Sequence, residues 1–350
     1  MYDFVVVGAG PVGAYLSWKL SKKGYKTLLI EEHSTPGKPL ACSGLISKEV
    51  FRFVPKGDFV ENEIRAAHIH VDTHTFEFRK KEVHAYVIDR TRLDSYLVER
   101  SVESGTELFL NHRFEDFMEL DDSLRVYVKT PKSFINIKTK ILCGCDGPLS
   151  SVRRSANLPP PRSLLHGIFC YTNEKDGSDC VDLFFRRYLR GFFGWRIPRG
   201  GCVEYGLALP FGAPIQKIFK LFLKEQGVRR ITSIHSGLIP TEPPKRTISG
   251  RVLLLGDAAA QVKPHTGGGV VYGLTSAYIA SQVLDPENPE TTKTYETLWR
   301  KHLGKEILIG SLIKNSYSLS PFLQRISLSF LEKISQHKDI HMDRPTSLLK

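Results

Sequence analysis

The chain of 350 residues is long enough for two domains' worth of core. With 25% charged and 41% hydrophobic residues it is not an intrinsically disordered chain, and no run of about 18 apolar residues is present to span a membrane. The net charge is +12, yet no nucleic-acid recognition motif or interleaved basic–aromatic stripe accompanies it, which removes nucleic acid as the expected partner.

The N-terminus runs straight into residues 3–13, DFVVVGAGPVG, so no signal peptide is expected. Residues 4–7 suit a buried parallel strand, and residues 14–22 read as a helix. Between them Gly8 permits a tight turn, Gly10 lets the backbone approach a pyrophosphate, and Gly13 lets helix and strand pack closely. Gly8, Gly10, Pro11, Val12 and Gly13 thus make a phosphate-binding turn whose helix N-terminus offers free N–H groups and partial positive charge. A second apolar run, 27–30, ends in Glu31, the place for a carboxylate accepting hydrogen bonds from an adenosine ribose; Glu32 beside it is the substitute. These features predict nucleotide binding.

Residues 83–88 read as a strand, followed by a helix over 90–104. The segment 141–154, ILCGCDGPLSSVRR, ends a strand in Asp146 and Gly147. Alternating stretches at 67–71, 75–79, 181–185 and 204–209 look like antiparallel strands of a separate sheet, with proline-rich 159–161 and 240–244 marking its entrance and exit. In 251–269, RVLLLGDAAAQVKPHTGGG, a buried strand ends in Gly256 and Asp257, and Gly267, Gly268 and Gly269 open a helix over 270–283. Beyond about residue 290 the chain reads as helical, with apolar residues at Ile307, Leu308, Leu312, Ile313, Phe322, Leu323, Ile326 and Phe330. No internal repeat or low-complexity tract interrupts it. The six cysteines show no metal spacing, no metal ligands are predicted, and a reducing cytoplasm is the expected compartment.

In this order the three glycine-bearing segments resemble those of flavoproteins related to aromatic hydroxylases. Gly256–Asp257 is similar to their "GD" motif, whose aspartate holds the ribityl chain of FAD and whose following helix points its positive end at the flavin. A reduced flavin is anionic, and a helix N-terminus stabilises an anion by roughly 0.3–1 kcal/mol. Asp146 and Gly147 are similar to the "DG" motif, and Asp89-Arg90-Thr91-Arg92-Leu93 resembles the family's arginine-led helix start, offering Arg92 or Arg90 to FAD phosphate. The resemblance implies FAD as cofactor and an α/β fold (α+β overall). Its parts would be a discontinuous Rossmann-like FAD-binding domain over 1–66, 83–158 and 245–290, an antiparallel-sheet substrate domain over 67–82 and 159–244, and a C-terminal helical region over 291–350.

Residues 192–198, FFGWRIP, resemble the YxWxFP signature of the geranylgeranyl reductase family, with Phe193 in the tyrosine place, Trp195 and Pro198 retained, and Ile197 replacing phenylalanine. Ala41-Cys42-Ser43-Gly44-Leu45 is similar to the cysteine-glycine segment that this family places beside the flavin. The resemblance implies an FAD-dependent reductase that saturates isolated double bonds of geranylgeranyl chains by hydride from reduced flavin plus a proton. The expected substrate is a glycerophospholipid precursor of archaeal membrane lipids; a free or chlorophyll-linked geranylgeranyl group is the runner-up. Phe193, Trp195, Pro198 and His265 fall on the substrate side, with Phe184, Phe185 and Phe192 as further wall candidates. Ring quadrupoles stabilise developing cationic charge by roughly 0.5–2 kcal/mol per contact. Cys42 is the candidate catalytic residue, since a free thiol is mostly protonated at neutral pH and can deliver a proton. The expected partners are a prenylated lipid, an electron donor (ferredoxin or NADPH) and a peripheral membrane surface, the last favoured by the basic charge. A flavin-dependent halogenase, whose WxWxIP motif is partly mimicked at 193–198, an aromatic hydroxylase, and a flavoprotein that only relays electrons are the alternatives.

Overall fold

The structure, a computed structural model, describes residues 1–335, 341 and 343–349. The strand Tyr2–Val7 lies between Thr27–Glu31 and Phe134–Gly144, with Glu107–Leu110 outside the former and Val252–Leu254 outside the latter, all parallel. Parallel strands are covered on both faces, and here Phe4, Val5, Leu28, Leu29, Ile141, Leu142, Val252 and Leu253 are all fully buried. The helices Pro11–Ser21 and Val270–Val283 contribute to the core on one face. The antiparallel hairpin of Arg113–Glu119 and Leu124–Lys129 brings Phe114, Leu124, Val126 and Val128 against the other.

A second sheet of seven strands runs Ile231–Glu242, Ser163–Thr172, Val203–Pro210, Gly194–Pro198, Cys180–Phe185, Ala66–Val71, His74–Arg79. Its pairings are antiparallel except that of Ala66–Val71 with Cys180–Phe185. Period-two alternation divides its side chains. Tyr205, Leu207 and Leu209 pack with Phe219 and Phe222 of the helix Ile215–Glu225, whereas Trp195, Ile197 and Ala208 face the other way. A small sheet of Leu45–Ser47, Ala85–Ile88 and Val60–Ile64 completes the β structure. The fold is the mixed α/β arrangement expected.

Several local expectations shift. The first helix begins at Pro11, not residue 14, because proline lacks the N–H that the first helical turn leaves unbonded anyway. The strand expected over 83–88 spans Ala85–Ile88. The proline-rich segment 240–244 holds the end of the strand Ile231–Glu242, with Pro240 inside it; that strand is a sheet edge, where a missing N–H interrupts no ladder on its open side. The C-terminal helices are Thr291–Ser316 and Pro321–Ser335; the side chain of Phe330 lies outside the described residues. After them Asp343 returns to the core, pairing with Lys263 Nζ at 2.5 Å, while Tyr272 Oη donates to its carbonyl at 2.8 Å. No helix among the described residues is long and apolar enough to cross a membrane.

Candidate functional site

The first turn is built by close backbone approach. Gly8 has φ +99°, and a Cβ there would lie 2.5 Å from the Cys145 carbonyl oxygen; a Cβ at Gly13 would lie 2.0 Å from that of Gly8. At Gly10 a Cβ would meet nothing within 4 Å, so the turn opens onto free space at the start of the helix Pro11–Ser21, whose N-terminus has no side-chain cap. Glu31 Oε2 accepts a hydrogen bond from Ala9 N at 2.8 Å, which fixes this carboxylate beside the turn. Glu32, by contrast, is exposed and takes no part in it.

The other two segments meet the first. Asp146 accepts from Ser150 Oγ at 2.6 Å, Ser151 N at 2.7 Å and Val152 N at 3.1 Å, so its carboxylate caps the short helix Ser151–Ser155, while Gly147 opens to the cavity. Asp257 is raised to about 6 by burial, against the opposing pull of Arg90. A Cβ at Gly269 would lie 2.8 Å from Asp257 Oδ1, and the helix Val270–Val283 that Gly269 opens again lacks a side-chain cap. Two uncapped helix N-termini therefore face one cavity, a ready arrangement for anionic groups.

Arg90 and Arg92 separate cleanly. Arg90 lines the cavity and forms a two-pronged pair with buried Asp94, at 3.2 Å (Nε–Oδ1) and 3.0 Å (Nη2–Oδ2), and it also hydrogen-bonds Cys42. Arg92 is exposed, bonds the Asp58 carbonyl and does not line the cavity, so of the two candidates only Arg90 faces it. Ala41 and Cys42 both line the cavity. Their segment is held down at Gly44 (φ +75°), where a Cβ would lie 2.1 Å from the Ile88 carbonyl oxygen.

From Gly10, Cys42 and Gly267–Gly269 the cavity, of about 660 Å³, continues into the face of the seven-stranded sheet. Phe192 and Phe193 stack there at 4.2 Å between centroids; Trp195 lies edge-on to Phe193 at 6.4 Å, and Tyr317 edge-on at 6.0 Å. Phe185 joins this wall, but Phe184 is on the opposite sheet face, stacked on His70 and packed on Phe222. Pro198 also stands apart: it ends its strand, its carbonyl accepts from Asn62 Nδ2 at 2.9 Å, and it does not line the cavity. His265 is buried on the cavity wall, its carbonyl accepting from Tyr317 Oη at 2.8 Å.

A buried polar chain ties the aromatic wall to the cysteine segment. Trp195 Nε1 donates to Glu204, Glu204 pairs with Arg199 at 3.0 Å, and Arg199 donates to the carbonyls of Ser43 and Ile88. Burial pushes Glu204 up to about 7 despite Arg199 and the indole. Sequence reasoning missed this chain and the Lys263–Asp343 pair. The available signal was a glutamate on the cavity-facing register of an otherwise apolar strand, Val203–Pro210.

The donor set fits FAD: open space at Gly10, two free helix N-termini, the Glu31 carboxylate held beside the turn and buried Asp257 beside the second N-terminus. Residues 1–164 match the FAD binding domain family. An uncharacterised protein of Methanocaldococcus jannaschii is 29% identical, over 99% of this chain and 93% of its own. A digeranylgeranylglycerophospholipid reductase of Methanococcus vannielii is 26% identical, over 95% and 90%. The crystal structure of a geranylgeranyl bacteriochlorophyll reductase-like protein from Thermoplasma acidophilum superposes with a TM-score of 0.88 at 20% identity, covering 99% of this chain and 94% of that one. The chain is an FAD-dependent oxidoreductase. Over nearly its whole length it is similar to proteins named as geranylgeranyl-lipid reductases.

Proposed function

We propose that this protein saturates isolated double bonds of geranylgeranyl chains on a glycerophospholipid. The carrying observation is the single continuous cavity that begins at the two uncapped helix N-termini and ends at Phe192, Phe193, Trp195 and Tyr317. Its volume of about 660 Å³ falls in the usual range of small-molecule sites, roughly 300–1,000 Å³. Bound FAD supplies the hydride. Gly10, Val12 and the Gly267–Gly269 turn would hold it, with Glu31 available to the adenosine ribose and Asp257 to the ribityl chain. The apolar wall accommodates the prenyl chain at about 0.8 kcal/mol per buried methylene and keeps water from the reacting carbons. The ring faces of Phe193 and Trp195 stabilise cationic character on the substituted carbon. Cys42 Sγ delivers the proton, and the Arg90 guanidinium beside it compensates the thiolate left behind until solvent returns a proton.

The substrate is drawn from a membrane surface without insertion. Leu308 and Leu312 on one C-terminal helix, and Phe322, Leu323 and Ile326 on the next, are exposed, while Leu328 and Leu331 of that second helix line the cavity. An exposed apolar helix face on a basic protein suits an anionic lipid surface. Mass spectrometry of lipids from cells with and without the protein tests the reading: loss of saturation on deletion supports it, and an unchanged lipid profile counts against it.

A further inference from the structure

We propose that His68, His70 and Asp182 form a binding site for a divalent transition-metal ion of the zinc class, on the sheet face turned away from the cavity. Residues of Ala66–Val71 alternate: Ala67 and Ile69 line the cavity, which sends His68 and His70 to the outer face. On the neighbouring strand Cys180–Phe185, Val181 and Leu183 line the cavity, and Asp182 shares the outer face in register with His68. The three ligand atoms lie within 4.8 Å of one another. His68 Nδ1 stands 3.3 Å and His70 Nε2 2.8 Å from Asp182 Oδ1.

Those separations are what a small ion requires. Ligand atoms about 2.0–2.1 Å from a tetrahedral zinc lie about 3.3 Å apart, so adjustments of a few tenths of an ångström admit the ion between them. Two imidazoles and one carboxylate suit zinc and its neighbours better than calcium or magnesium. The outer partners are also in place. Thr75 Oγ1 holds His70 Nδ1 at 2.9 Å, fixing the ring and leaving Nε2 to the ion. His70 is further braced by stacking on Phe184 at 4.8 Å and 12°. Arg196 stands 3.6 Å from the other carboxylate oxygen, Oδ2, and its own charge is matched by Asp176 at 2.7 Å. Glu77, across the ladder from His68, adds negative charge nearby. All three ligands are half-buried, which leaves a fourth position to water.

The placement has a structural logic. Ala66–Val71 and Cys180–Phe185 form the single parallel pairing of this sheet among the described residues, and they come from chain segments more than a hundred residues apart. Parallel ladders are slightly weaker per residue than antiparallel ones. An ion held by both strands ties the sheet together at that junction, directly behind the cavity wall.

Isothermal calorimetry on the untagged, flavin-loaded, chelator-treated full chain tests the site, with Zn²⁺ as the probe. The expected result is saturable binding of one Zn²⁺ per chain with a rise in Tm. His70→Gln and Asp182→Asn should each weaken that binding at least tenfold with flavin content unchanged. Thr75→Ala should weaken it by about 10–100-fold through loss of the outer partner. Should either ligand variant fail to hold flavin, Thr75→Ala decides. Absence of saturable binding overturns the proposal, as does affinity unchanged in the variants that fold.

Discussion

Trp195 donates its indole N–H to Glu204 Oε1 at 2.8 Å, and Glu204 is wholly buried. A cavity-lining aromatic is thereby locked to a carboxylate that also holds Arg199, and through it the backbone of Ser43 beside Cys42. The aromatic wall and the cysteine segment are thus one braced unit.

Glu204 ionises near 4.5 when unfolded and near about 7 in the fold, where burial raises it. Between those values the folded protein holds a proton that the unfolded chain has released, so stability falls as pH rises through the window and levels off above it. The contribution is on the order of 3 kcal/mol. Urea unfolding at about pH 5 and about pH 8 should show this slope in the wild type and a flatter one in Glu204→Gln.

Gly13→Ala should abolish flavin retention. Its new Cβ would fall 2.0 Å from the Gly8 carbonyl oxygen, and this contact is with backbone that cannot swing aside. A penalty of about 1.4 kcal/mol already costs tenfold in affinity, so flavin absorbance per chain should drop at least about tenfold.

Arg90 and Arg92 should behave oppositely. Arg90→Ala strands the buried Asp94 carboxylate, a change that costs about 3–5 kcal/mol when a buried pair is broken. Arg92→Ala touches an exposed side chain and should stay within about 0.5 kcal/mol. Denaturant midpoints of the two variants distinguish them.

Cys42→Ala should lower prenyl-lipid turnover by about 10²–10⁴-fold, the usual contribution of a positioned acid. Flavin content and anaerobic photoreduction should remain at wild-type levels. Turnover within a factor of about two would remove Cys42 from the chemistry.

Much of the cofactor turn was legible because its demands fall on single residues. A positive φ at Gly8 and the close approach at Gly13 admit only glycine, and a strand, a turn and Glu31 follow at short range. Arg90 against Arg92 was not legible, since the two stand in the same first turn and only tertiary packing decides which faces inward. Residues two apart on a helix do not share a face, so one of them had to be turned away. Long-range pairs left no local trace: Arg199 with the Ser43 carbonyl, Lys263 with Asp343, and Asp182 with two histidines 112 and 114 residues before it. That Pro240 lies within a strand was not legible, because proline breaks interior strands and only the sheet order reveals that this strand is an edge.

Reduction of a prenyl lipid by the bound flavin is tested under anaerobic conditions. The flavin-loaded protein is photoreduced and mixed, without oxygen, with a digeranylgeranylglycerophospholipid, while flavin absorbance and lipid mass are followed together. The flavin should be reoxidised in step with the gain of two hydrogens per double bond. A reduced flavin that stays reduced until oxygen is admitted, with the lipid unchanged in mass, would contradict it.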